Sequence, residues 1–258
     1  MNTTKTLRWG LAAAAAFAVL PASAHAAAVL LQQPTATFTQ SVACGSGACS
    51  VAAAIDGDPN ATGWAIASFP GPVTSAQTAV FETAADLFTS GGMLTFVLNQ
   101  GFGTQHTLGN FRLSATTDNR SLFADGLGTG GDVTANWTVL DLATFVSANG
   151  ATLTELGDLS ILASGTSPLT DVYTITTSTA LSGITGFRIE MLENGALPTN
   201  GPGRMANGNF VLTNFAVDAV ANVSSAVPEP GTWMTMILGF GLLGGAMRRR
   251  GAHALRMA

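Results

Sequence analysis

The middle of this 258-residue sequence predicts an all-β fold, a single β-sandwich. Short runs rich in Val, Ile, Thr, Phe and Tyr are separated by Gly, Asn, Asp and Pro clusters, the pattern of a sandwich or barrel. Several runs alternate: Phe111 and Leu113 share one face against Arg112 and Ser114, and Phe187, Ile189 and Met191 oppose Arg188 and Glu190 in the same way. No stretch of this region has the spacing of a long amphipathic helix. Residues 29–218 make a length that suits one domain.

In chain order, strands are expected at 79–81, 93–98, 111–115, 138–140, 153–156, 160–163, 173–177, 187–191 and 210–217. Asn149-Gly150, Asn194-Gly195 and Asn207-Gly208 carry the hairpin-turn signature, because asparagine and glycine tolerate positive φ. The Ser- and Ala-rich stretch 219–227 reads as a linker. No internal repeat is visible.

Charge narrows the partners. Residues 29–222 keep four arginines and no lysine, against fourteen acids before Pro228, hence a formal charge of −10. Such a surface repels nucleic acid and anionic headgroups and suits neutral glycans or divalent cations. Only two cysteines occur, in Cys44-Gly-Ser-Gly-Ala-Cys49. In an exported chain this spacing reads as a small disulfide loop, a local staple rather than a long-range tie. Zinc would need further Cys or His ligands, and none is near.

Export itself is read from the two ends. Residues 1–26 hold Lys5 and Arg8, an apolar run from Leu11 to Leu20, then Ala24-His25-Ala26, a secretory signal with cleavage expected after Ala26 and Ala28 as the alternative. At the other end stand Pro228-Glu229-Pro230, Trp233, an apolar run over 233–247, and Arg248-Arg249-Arg250. As a helix the run covers about 22 Å, short against a hydrocarbon core of about 30 Å. The arginines set orientation, positive side to the cytoplasm, leaving 251–258 as a cytoplasmic tail. The prolines hold the preceding backbone extended, as a protease cleft requires.

Residues 228–250 resemble the PEP-CTERM sorting signal, in the variant with tryptophan three residues after the second proline; Met234 replaces the usual alanine. The resemblance implies recognition by an exosortase, a membrane-embedded cysteine transpeptidase of Gram-negative bacteria that make exopolysaccharide. It also implies a transmembrane helix that anchors the chain before processing, and a final place at the cell surface or in the biofilm matrix.

The middle carries a second resemblance. Ala54-Ile-Asp-Gly-Asp-Pro-Asn-Ala-Thr-Gly-Trp64, Leu94-Thr-Phe96, His106-Thr-Leu-Gly-Asn-Phe-Arg-Leu-Ser114, Ser160-Ile-Leu-Ala-Ser-Gly165, Ile184-Thr-Gly-Phe-Arg-Ile-Glu190 and Gly201-Pro-Gly-Arg204, with Asn207-Gly-Asn-Phe-Val-Leu212, resemble in this order a galactose-binding-like jelly roll related to discoidin and to carbohydrate-binding modules. It covers most of 50–217 and implies the jelly-roll fold; the two targeting ends around one acidic β-domain poor in catalytic residues point to a non-catalytic binding or structural role, with carbohydrate as the expected ligand. Related jelly rolls hold a structural calcium through an Asp and a Thr just before a Trp, which implies Asp56, Asp58 and Thr62 here, with Ala61 as one extra residue. The competing reading of that loop is an Asx turn that caps itself. No cofactor is otherwise required.

For a ligand, the residues singled out are Phe102, Asn99, Gln100, His106 and Arg204. Phe102 lies in a Gly-rich loop, where a ring can stack on a sugar; Trp64, Trp137 and Tyr173 are further rings, with Trp64 expected in the core. Arg204 either meets an anionic group or pairs with Glu190 or Glu193. Catalytic machinery is hard to assemble: His106 is the one histidine between the two ends, and no Gly-x-Ser-x-Gly elbow occurs. A carboxylate-dependent glycosidase or esterase is the enzymatic alternative, and a self-associating coat protein the structural one.

Overall fold

The structure, a computed structural model, describes residues 25–40, 49–60, 62–67, 75–123, 135–222 and 230–254. The expected signal segment up to residue 24, together with Cys44, Pro228 and Glu229, lies outside the described residues, as do the side chains of Trp233, Arg249 and Arg250.

Among the described residues, 24–222 form one unit built from antiparallel strands. In chain order these are β1 (Ala27–Ala28), β2 (Leu31–Ala36), β3 (Trp64–Ala65), β4 (Gln77–Leu87), β5 (Gly92–Gln100), β6 (Asn110–Thr116) and β7 (Thr138–Val139). There follow β8 (Thr144–Ser147), β9 (Ala151–Glu155), β10 (Ile161–Gly165), β11 (Asp171–Thr179), β12 (Ile184–Met191), β13 (Val211–Leu212) and β14 (Asn214–Ala221). One sheet has the order β1-β14-β5-β11-β8, the other β2-β4-β12-β6-β10-β9 with β7 also on β6, and β3 pairs β13. The chain switches sheet at almost every turn, as an all-β jelly-roll sandwich requires.

Alternation explains the two-layer core. In β5, Leu94, Phe96 and Leu98 are fully buried while Met93, Thr95, Val97 and Asn99 face outward. Phe187, Ile189 and Met191 of β12 and Phe111, Leu113 and Ala115 of β6 oppose them from the other sheet. Aromatic pairs stitch the layers: Phe81 stacks on Phe215 at 4.6 Å between centroids, Phe96 meets Phe187 edge-on at 5.3 Å, and Phe111 lies against Tyr173 at 5.9 Å. Each such pair adds about 0.5–1.5 kcal/mol beyond the area it buries.

The outer faces differ. Over the seven-stranded sheet, Phe123 and Trp137 pack on Val80 in a satellite cluster. Arg188 stacks on the Trp137 ring at 5.1 Å and also bonds Glu190, which holds Arg112 in a two-point ion pair at 2.9 and 3.1 Å. Gly186 makes this possible, since a Cβ there would run into the Phe123 ring. The five-stranded sheet keeps Met93 and Val146 exposed on its outer face.

Several elements depart from the sequence reading. β2 was not expected, because Gln32-Gln33-Pro34 reads as a breaker; it survives as an edge strand with a register shift, where proline's missing N–H costs little. β8, an edge of the five-stranded sheet, alternates exposed and half-buried residues and so lacks a fully buried apolar face. β14 continues through Ala221, into the stretch expected to be linker, because β5 supplies partners as far as Gly92.

Residues 230–254 form a helix, α1 (Pro230–Ala254), with Met234 to Gly245 exposed. No helix among the described residues is long and apolar enough to cross a membrane. A helix is present where the sequence reading expected one; Thr235 and the four glycines at 239, 241, 244 and 245 dilute its apolar run, which is short of bilayer thickness.

Candidate functional site

Strand direction collects the candidate residues at one pole of the sandwich. β5 ends there at Gln100 and β6 starts at Asn110; β10 ends at Gly165 and β11 starts at Asp171; β12 ends at Met191 and β14 starts at Asn214. Backbone bonds knit the intervening loops together. Gln105 N–H donates to the Leu169 carbonyl, Arg204 N–H to Thr107, and Leu108 bridges Gly203. The Asp56 loop joins them, since the Thr213 hydroxyl bonds the Pro59 carbonyl and also accepts the Gly101 N–H. Gly101 backs so closely onto Pro59 that no side chain would fit.

The predicted residues share this pole but not one surface. Asn99 is half-buried on the outer face of β5, whereas Gln100 turns inward and is 1% exposed. The period of two sends neighbours to opposite faces, so the two amides cannot grip one ligand. Gln100 braces the loop instead, its Oε1 accepting the Leu108 N–H at 2.7 Å. Phe102 rests half-buried on Cys49, Ala65 and Val211 and meets the His106 ring edge-on at 5.0 Å. His106 Nδ1 lies 2.7 Å from the Thr104 hydroxyl, and burial pushes its pKa below the ordinary histidine range. Gly103, Thr104 and Gln105 all have positive φ; for the two non-glycine residues this costs about 1–2 kcal/mol each. Gln105 helps to hold them, its side chain donating to the Ser167 carbonyl at 2.9 Å.

Arg204 is not a surface arm. It is 9% exposed, and its guanidinium donates to the Ser164 and Gly165 carbonyls at 3.2 and 3.0 Å, clamping the end of β10. The expected alternative of pairing with Glu190 or Glu193 is also unmet. Glu190 is taken by Arg112 and Arg188, and Glu193 accepts the Ala76 N–H.

The Asp56 loop lies over a depression of about 320 Å³ lined by Ser50, Ala52, Ala53, Asp56 and Thr62. Asp56 accepts the Asp58 N–H at 2.8 Å and the Thr62 hydroxyl at 3.4 Å, and Asp58 accepts the Asn60 N–H at 2.9 Å. Calcium prefers six to eight oxygens. Here the carboxylates turn onto their own backbone, and among the described residues no three acid, His or Cys side chains gather for a metal. Asp56 and Asp58 thus make the hydrogen bonds of an Asx turn.

Trp64 is fully buried, donating Nε1–H to the Phe38 carbonyl at 2.8 Å, and Tyr173 is buried with its pKa pushed up to about 12, mainly by burial. Neither ring is a sugar platform. Trp137 belongs to the Phe123 cluster on the other sheet. Cys49 is buried and disulfide-bonded; the sequence has one other cysteine.

Sequence reasoning missed Asp171. Its carboxylate, 1% exposed, accepts from the Asn149 N–H, the Val172 N–H and the Ser147 hydroxyl at 3.0, 2.8 and 2.7 Å. It thereby fixes the β8–β9 turn at the loop pole. Only Asn149-Gly150 hinted at a turn there, and nothing marked its acid.

The C-terminal segment is decided by comparison. Residues 226–250 match the PEP-CTERM protein-sorting motif. The chain carries a PEP-CTERM sorting signal. The motif marks an exported chain targeted to an exosortase at the membrane. No curated protein matches the chain. Among solved structures it is similar to a chain of the Streptococcus pneumoniae beta-galactosidase BgaA, at 11% identity and a TM-score of 0.44, covering 76% of this chain and 92% of that one.

Proposed function

We propose that this exported, exosortase-targeted chain becomes a cell-surface or exopolysaccharide-matrix protein whose sandwich binds neutral carbohydrate non-catalytically through its loop pole. The observation that carries this reading is the gathering of the 56–60, 101–106, 166–170 and 204–209 segments at one pole. Their exposed and half-exposed side chains include amides and hydroxyls (Asn60, Thr104, Gln105, Thr166) beside the Phe102 and His106 rings. Hydroxyl-rich ligands suit such groups, and the −10 charge of the domain disfavours polyanions.

Retention of residues 27–222 on immobilised polysaccharides tests it, with Phe102→Ala expected to weaken binding while the domain stays folded. Absence of retention on every neutral glycan would move the role to structure alone. The self-capped Asp56 turn implies that calcium is dispensable, so chelation with EDTA should leave Tm unchanged; a marked fall would restore the calcium reading at Asp56, Asp58 and Thr62. A second reading, self-association as a coat, draws on exposed Met93 and Val146 and on edge strands β1 and β8. Sedimentation with and without calcium distinguishes an assembling protein from a monomeric binding module.

A further inference from the structure

The first and last described residues of the sandwich strands, Ala27 and Ala221, lie at a single pole, the one opposite the candidate loops. β14 runs away from the loop pole and ends at Ala221 opposite Gly92. Asn222 then fastens to the turn before β5, its N–H donating to the Gly91 carbonyl at 3.1 Å and its side-chain amide to the Ser90 carbonyl at 3.2 Å. At the other end of the sequence, β1 pairs Ala27 with Ala219, so the expected signal-cleavage site after Ala26 adjoins the same edge. A strand of nine residues separates this pole from Gln100, about 27 Å at 3.3–3.4 Å per residue.

Between Asn222 and Pro228 stand five residues, a reach of about 20 Å at full extension. An enzyme gripping Pro228-Glu229-Pro230 therefore works close to the turns at 88–91 and 180–183. Neither turn carries a charge: Thr89, Ser90 and Gly91 form the tip of one, and Ala180, Ser182 and Gly183 lie in the other. In a domain of net charge −10, the two turns expose the uncharged Thr89, Ser90 and Ser182 beside the half-buried Phe88 and Leu181, with the nearby charge of Asp86 paired to Arg120.

We infer that the 88–91 and 180–183 turns are the surface that faces the membrane-embedded processing enzyme, and that the loop pole stays free throughout. Ligand capture at the loops and cleavage at the C-terminal motif are then compatible on one molecule. This rests on the sorting half of the function proposed above and is independent of the glycan half.

The experiment uses the full chain in membranes containing its exosortase. Ser90→Cys, Ser182→Cys and Thr166→Cys each add one exposed thiol, the first two at the tether pole and the third at the loop pole. Each is coupled to biotin-maleimide and loaded with streptavidin, and cleavage is followed by the mass of the product. The expected result is loss of cleavage for streptavidin at Ser90→Cys and Ser182→Cys, and normal cleavage for streptavidin at Thr166→Cys. All three variants without streptavidin should be cut like the parent, which controls for folding. Equal cleavage of the three loaded variants, whether fast or absent, would overturn the assignment. If the unloaded parent stays uncut, the sorting reading fails, and this inference fails with it.

Discussion

Asp171 shows what one buried side chain does here. Its carboxylate takes three hydrogen bonds from the β8–β9 turn and from its own strand. Asp171→Ala strands these donors in a buried site, and a loss of about 1–3 kcal/mol is expected, measurable by urea unfolding. His106 gives a pH signature. Its folded pKa lies below the ordinary value because burial disfavours the charged ring. The unfolded chain therefore binds the proton more readily. The contribution is present above the ordinary histidine pKa and is lost as pH falls from there through the lower folded value. Tm of the wild type should drop across that acid window, and His106→Gln should flatten the drop; an unchanged slope in the variant would refute the assignment. Arg204 carries a different lesson. An arginine beside glycines looked like a surface arm, yet its partners are the carbonyls of Ser164 and Gly165, remote in sequence.

Element by element, legibility follows burial. β5, β6, β11 and β12 were visible because each is central, with one face in the core and one outside, so apolar residues recur at every second position. β2 and β8 were not visible, because edge strands tolerate proline and need no continuous apolar face. The satellite cluster over β4 and β12 was equally hidden. Phe123 and Trp137 reach it from segments that read as loop, and Gly186 leaves them room inside a strand. Gly186→Ala should push Phe123 off the sheet and cost about 1–3 kcal/mol as overpacking does, with a change in tryptophan fluorescence from exposure of Trp137. Unaltered stability and emission would mean that the cluster does not depend on that gap.

At the scale of the whole domain, Ala27 and Asn222, where the sandwich begins and ends, lie at the end opposite the candidate loops. The exported, sorted chain should be recovered from its host without α1, with a mass that begins near Ala27 and ends near Pro228; an intact C-terminus in wild-type cells would contradict processing. The sequence by itself determined the address and the class of fold. A sorting motif is read as a linear string by an enzyme, and strand alternation is a local consequence of the pleat, so both are written in consecutive residues. Which side chains meet at the loop pole was decided only by tertiary structure. Arg204 sinks onto carbonyls 39 and 40 residues away, Asp171 braces a turn 22 and 24 residues away, and Thr213 ties Gly101 and Pro59 together across 112 and 154 residues, because loops remote in sequence are brought together only by the fold.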